Sequence, residues 1–310
     1  LHNCIISGGY ANGSLGRGAG IDNAGPSLRL SQVELLDNYA TGSGGGIYSA
    51  GSITINDCVF ANNTAGNQGG GYFINLNLWK NRAVNTVFSG NTARSGSAMY
   101  IVGQTEGYYS GNTFDNNLSQ LYGTLTINGE KQGDIVIVNN TFANNTLEAV
   151  SSLYNPLNGG AAVYINTHAE STIHLVNNTI TGNLNSCYDE GGNAARNFYG
   201  AAVHINQGKL NLCNNILAGN YSTSSSGGDV YLGTEKGELL RTQYNIYSST
   251  ENMNIISGET DLISGNYVNA LNDLENLLEG KAESNIFVPE LKDNGGNTLT
   301  IKVLEPYYNQ

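Results

Sequence analysis

The chain has little charge, proline or cysteine: of 310 residues, 12% are charged, 4 are proline and 4 are cysteine. Ordinary disorder needs more proline and charge than this. Heptad-like apolar spacing is almost absent, so many short strands joined by turns are expected. No apolar run approaches the ~20 residues of a membrane span, and no membrane-spanning segment is expected. Lys and Arg number 13 against 25 Asp and Glu, a formal net charge of −12. No basic stripe is evident, so nucleic acid is not an expected partner. Cys4, Cys58, Cys187 and Cys213 form no CxxC pair and no Cys/His spacing, so neither a metal nor a cofactor is expected. The first residues, LHNCIISGGY, lack the charged start and long apolar core of a signal peptide. They read as the middle of a repeat, and the expectation is that N-terminal coils have been cut away.

What is abundant is Asn and Gly, the latter 41 times, and both recur in register. The phrase apolar-x-x-Asn occurs at Leu35–Asn38, Phe60–Asn63, Phe88–Asn91, Phe114–Asn117, Phe142–Asn145, Ile180–Asn183 and Leu217–Asn220, with Asn spacings of 25, 28, 26, 28, 38 and 37. Ile5–Gly9 is an earlier copy with Gly9 in place of the Asn, which makes eight copies. Around residues 134–165 three strand-like phrases fit one copy: Asp134–Val138, Thr141–Ala143 and Gly160–Ile165. The first and third alternate apolar and other residues, the period of a half-buried strand. Short strands repeated at such a period predict an all-β fold, a parallel β-helix with coils stacked ~4.8 Å apart. Right-handedness is expected by analogy with the crossover rule.

In that register Phe60, Phe88, Phe114 and Phe142 share an inward column with Ile6, Leu35, Ile180 and Leu217. The Asn column follows at a turn, where Asn tolerates left-handed backbone angles and can bond the amide one coil away. A second ladder is expected at Asn112, Asn140, Asn178 and Asn215. Cys4 and Cys58 fall two coils apart, roughly 9–10 Å, too far for a disulfide. Residues 1–250 are expected to form the β-helix. Residues 251–310, with a short helix at Ala270–Gly280, are expected to form an irregular cap on its open end.

Two features carry a binding expectation. The alternation points Tyr48, Phe73, Tyr100, Thr126, Tyr164, His204 and Tyr231 outward in one column, an exposed aromatic stripe. It would serve as a platform for sugar rings or a protein partner, or simply as a stabilising cross-coil stack. Two coils carry insertions, Thr146–Asn158 and Leu184–Phe198, which bring Tyr154 and Tyr188. A third excursion, Asn75–Arg82, holds the only tryptophan, Trp79. Loops on a rigid scaffold are common recognition sites. No catalytic residues are assigned. Asp189 and Glu190 are the one adjacent acidic pair in a long loop, and no Ser-His-Asp set or phosphate loop is apparent.

The FxxN phrases at Phe60–Asn63, Phe88–Asn91, Phe114–Asn117 and Phe142–Asn145, with the GGA-like phrase Gly159–Val163, resemble the repeats of chlamydial polymorphic outer membrane proteins. Leu291–Glu305, LKDNGGNTLTIKVLE, is similar to the tail of bacterial choice-of-anchor surface β-helix proteins. The resemblance implies a bacterial surface-displayed or secreted adhesin that binds glycan or a host or neighbour-cell protein, and it brings no catalytic residues. Alternatives are a polysaccharide lyase or glycoside hydrolase, and a structural stalk or self-assembling surface element.

Overall fold

A computed structural model describes residues 1–13, 15–75, 80–103, 106–150, 159–188, 200–223, 228–248, 258–263, 275–283 and 286–304. They form an all-β parallel solenoid of about eight turns. One coil shows the plan, with four strands rather than the three expected: Asp134–Val138, Thr141–Ala143, Thr146–Val150 and Val163–Asn166. The first, second and fourth strands of successive coils stack into one 23-stranded composite sheet, and the third strands stack into a separate 8-stranded sheet.

The third strand went unread because its inward positions are small or polar in several coils. Ala40, Ala65, Ala93 and Ser119 pair coil on coil, and only Leu147 carries the apolar bulk of a half-buried strand. The expected insertions therefore begin as strands. Thr146–Val150 and Leu184–Tyr188 pair in parallel over their whole length, and the following residues 151–158 and 189–199 lie outside the described residues.

The inward aromatic column has the expected register and extends to Tyr247. Phe60, Phe88, Phe114 and Phe142 are fully buried, with successive ring centroids 4.9, 5.1 and 4.3 Å apart. Stacking at nearly the strand spacing lets each ring gain offset contact with its neighbours while filling the narrow core.

The asparagines divide into two roles. The residue before each ladder position takes a positive φ, as at Asn62 (56°), Asn116 (53°), Asn139 (57°), Asn144 (56°) and Asn177 (55°). That residue turns the chain, and the next Asn points inward. In the first ladder each Nδ2 donates to the Oδ1 of the next coil: Asn38 to Asn63 at 2.9 Å, then Asn91, Asn117, Asn145, Asn183 and Asn220. The same Oδ1 also accepts a backbone N–H from the preceding coil, so the amide satisfies the turn it occupies. The second ladder runs through Asn112, Asn140, Asn178 and Asn215 and on to Asn245.

A one-way amide ladder leaves its last Nδ2 needing an acceptor, and a carboxylate only accepts. Asn220 donates to Asp229 Oδ1 at 3.0 Å, and Asn245 donates to Asp261 Oδ1 at 3.1 Å. Asp229 also accepts from the Ser248 backbone N–H at 3.2 Å. Burial pushes its carboxyl up to about 7, against the pull of these donors. Neither terminator was read from the sequence.

The described part of the tail lies along the flank of the rod. Gly280–Glu283 and Ile286–Pro289 form an antiparallel hairpin, and Leu291–Lys292 pairs with Thr300–Ile301. Leu278, Phe287 and Ile301 pack on Ala143 of a second strand and on Ala218, just past another. Phe287 N–H donates to Gly219 O, Thr298 Oγ1 to Gly111 O, and Asn297 Nδ2 to Asp57 Oδ1. The tail thus runs back across several coils. Of the expected helix, 270–274 lie outside the described residues and 275–277 are helical. No helix among the described residues is long and apolar enough to cross a membrane.

Candidate functional site

The fourth strands hold the outward aromatic column in the expected register: Tyr48, Phe73, Tyr100, Thr126, Tyr164, His204 and Tyr231 pair coil to coil. The expectation that this column is exposed is overturned. Phe73, Tyr100, Tyr164 and His204 are 6%, 4%, 3% and 0% exposed, and Tyr48 and Tyr231 are half-buried. The strand turns these side chains away from the core, but the corner before the strand folds back under them. Gly160 sits at φ +67°, where a Cβ would lie 2.2 Å from Val163 O and 3.1 Å from His204 Cβ. Each ring is then closed in by its neighbours above and below. Tyr48–Phe73 and Phe73–Tyr100 stack at 5.2 and 5.8 Å, while Tyr164–His204 and His204–Tyr231 meet edge-on at 5.2 and 5.1 Å. Tyr122, from a third strand, stacks on Tyr164 at 4.4 Å. Arg17 closes the Tyr48 end from 4.3 Å, held by Asp22 at 3.1 Å. Desolvation lowers the His204 imidazole to about 3 and raises the Tyr164 hydroxyl far above its ordinary range.

Of the other expected binding residues, Tyr188 ends its third strand and is 42% exposed. Tyr154 and Trp79 lie outside the described residues.

Sequence reasoning missed the outward column of the first strands. Arg29, Thr54, Arg82, Tyr108, Val136, His174, Asn211 and Arg241 pair in one file along the rod. Arg29, Arg82 and Arg241 are exposed, and so is Tyr108 at 37%. The Arg82 guanidinium lies over the Tyr108 ring, 4.6 Å from its centroid. Around this pair a shallow groove of about 430 Å³ is lined by Lys80, Arg82, Glu106, Tyr108 and Asp134 among others. Lys80 pairs with Glu106 at 2.6 Å across adjacent coils. Beneath the groove Asn81 points into the core, where its Nδ2 donates to the hydroxyls of Tyr72 and Tyr109 at 3.3 and 3.2 Å. The signal was present in the alternation of Lys80–Val84 and Glu106–Ser110. It was obscured because Asn81 and Gly107 occupy inward positions that ordinarily carry apolar side chains.

Two further grooves among the described residues lie at corners. One, about 330 Å³, is lined by Gln68, Arg94, Ser95 and Tyr122 and lies against the covered aromatic column. The second, about 400 Å³, is lined by Asp57, Asn85 and the tail residue Asn297 and belongs to the tail contact. Cys4, Cys58 and Cys213 are free thiols, and burial raises that of Cys58.

The arrangement offers a rigid, flat face with hydrogen-bonding groups, an aromatic ring and charges of both signs, suited to holding an extended ligand. No protein-family model, curated protein or solved structure matches this chain.

Proposed function

We propose that this β-solenoid is a secreted or cell-surface bacterial binding protein of the adhesin type, which holds a glycan or a host or neighbour-cell protein without catalysis. The observation that carries the reading is the groove at Arg82 and Tyr108, where a stacked guanidinium and an exposed ring stand on an otherwise regular sheet. Aromatic faces with fixed polar groups beside them are the ordinary means of sugar recognition. The FxxN and DNGG phrases support the same reading by resemblance. Tyr188 is retained as a second contact because it is exposed at the end of its strand. The aromatic column is assigned to the scaffold.

The test is a glycan-array and polysaccharide pull-down screen on wild type and on Arg82→Ala with Tyr108→Ala, with sugar release followed by a reducing-sugar assay. Binding that is lost in the double variant, with no sugar released, supports the reading. Sugar release would assign the protein to the polysaccharide-degrading alternative. A stalk or self-assembling element is the second reading, favoured by the ladders that run through successive coils. It predicts concentration-dependent assembly in light scattering and no glycan binding.

A further inference from the structure

The first-strand file gathers positive charge on a strongly acidic protein. Three of the chain's six arginines, Arg29, Arg82 and Arg241, stand in it, and the file contains no carboxylate. The adjoining file on one side neutralises itself: Lys80 pairs with Glu106 at 2.6 Å, and Lys209 pairs with Glu170 and Glu238 at 2.8 and 3.6 Å, which leaves Asp134 as an acid at the groove's edge. On the other side, Asn56, Val84, Ser110, Val138 and Val176 carry no charge. Neither Arg29 nor Arg82 pairs with a carboxylate among the described residues. In a chain with 25 acids and 13 bases, arginines left without acidic partners are available to an external anion.

The spacing selects the kind of anion. Arg29 and Arg82 are separated by one intervening strand, Thr54, so they stand ~10 Å apart along the axis. Arg241 stands five coils beyond Arg82 in the same file, ~24 Å along the axis. Between Arg82 and Arg241 lie Tyr108 and Val136, an aromatic and an apolar surface, then His174 and Asn211. A nucleic-acid strand carries a phosphate roughly every 3.4 Å, a far denser array than this file offers. Sparse arginines, ~10 Å apart at Arg29 and Arg82 and with the Tyr108 ring beside them, fit a linear chain of sugars with a carboxylate or sulfate on alternate units.

We propose that the Arg29–Arg241 file binds a linear acidic polysaccharide lying along the rod axis, with Arg82 held over Tyr108 as its central anion contact. The proposal rests on the glycan-binding reading above and narrows it to one ligand class. The ligand spans several coils, so binding strengthens with chain length and weakens with salt, because exposed charge contacts are screened.

The experiment titrates the intact chain with labelled polygalacturonate and heparin, with neutral dextran, and with single-stranded poly-dT, at low and high salt. Arg29→Gln with Arg82→Gln is compared with Lys281→Gln and Lys302→Gln on the tail, and circular dichroism checks that both variants keep the fold. The expected result is salt-sensitive binding of an acidic glycan, little binding of dextran or poly-dT, and about tenfold weaker binding in the arginine variant alone, since exposed charge contacts each contribute a few-fold. Binding of neutral and acidic glycans alike, unchanged in the arginine variant, overturns this proposal and leaves the glycan-binding reading standing. Equal binding of poly-dT overturns the assignment to sugars. Failure of every glycan to bind overturns both.

Discussion

Two outward columns run along this solenoid, and they end in opposite environments. Tyr164 and Tyr108 both alternate out of the core on their strands. Tyr164 is 3% exposed and Tyr108 is 37% exposed. The cover on Tyr164 comes from the corner that precedes its strand. A corner of Gly and Ala folds under the fourth strand, so a ring there meets backbone and neighbouring rings. Among the described residues, no such corner covers Tyr108 on its first strand, where the ring meets the Arg82 guanidinium. Alternation therefore decides which way a side chain points, while the chain geometry beside the strand decides whether water reaches it.

The largest expected effect breaks that contrast at its buried end. Tyr164→Ala removes a ring packed against Tyr122 and His204 and leaves a cavity in the corner. It should cost about 3–5 kcal/mol, as for large aromatic truncations in cores, seen as a lower thermal midpoint. A midpoint unchanged from wild type would show that the corner does not depend on this ring.

The next test separates the two asparagine roles. Asn117 accepts from the Asn91 side chain and donates to Phe88 O and Asn145 Oδ1. Asn117→Ala strands those buried partners and should cost about 3 kcal/mol, since each unsatisfied buried group costs ~1–3 kcal/mol. Asn116→Ala, one residue earlier, loses the tolerance for φ 53° and an exposed hydrogen bond to Asp115, and should cost about 1 kcal/mol. Equal losses in chemical denaturation would mean that the turn, and not the ladder, sets stability.

The solenoid, its inward Phe column and both ladders were legible in the sequence because each coil must reuse the same geometry, so the same residue types return in register. The paired αL-then-ladder use of Asn was blurred because one residue type serves both functions. The third strand was hidden by Ala65, Ala93 and Ser119, which are too small to mark a core face. The exposed first-strand column was hard to read for a related reason. An aromatic column is conspicuous in a sequence, whereas Arg29, Arg82 and Arg241 are scattered through it and meet only when the coils stack. Asp229 and Asp261 were missed because each occurs once, at the end of a ladder, and a repeat search discards what does not recur.

Asp229 gives the ladder end a pH dependence. Its folded carboxyl holds its proton up to about pH 7, against an ordinary value of 3.8. The folded chain thus binds more protons than the unfolded chain between those values, so stability falls as pH rises from about 4 to about 7 and this contribution is level above that window. Over that interval Asp229→Asn should flatten the slope of stability against pH, measured by denaturant unfolding. A slope unaltered by the substitution would place the titrating group elsewhere.

The smallest expected effect lies at the open face, where it sharpens the contrast most. Tyr108→Ala and Arg82→Gln remove exposed groups whose partners are each other and solvent. Each should change stability by no more than about 0.5 kcal/mol, the usual range for surface positions. A ring that stabilised the rod as Tyr164 does would lower the midpoint on truncation and count as scaffold. A ring that leaves the midpoint unmoved while binding falls is free to contact a ligand. The two tyrosines, on strands of one sheet, then differ in purpose as they differ in exposure, and the same pair of substitutions measures both.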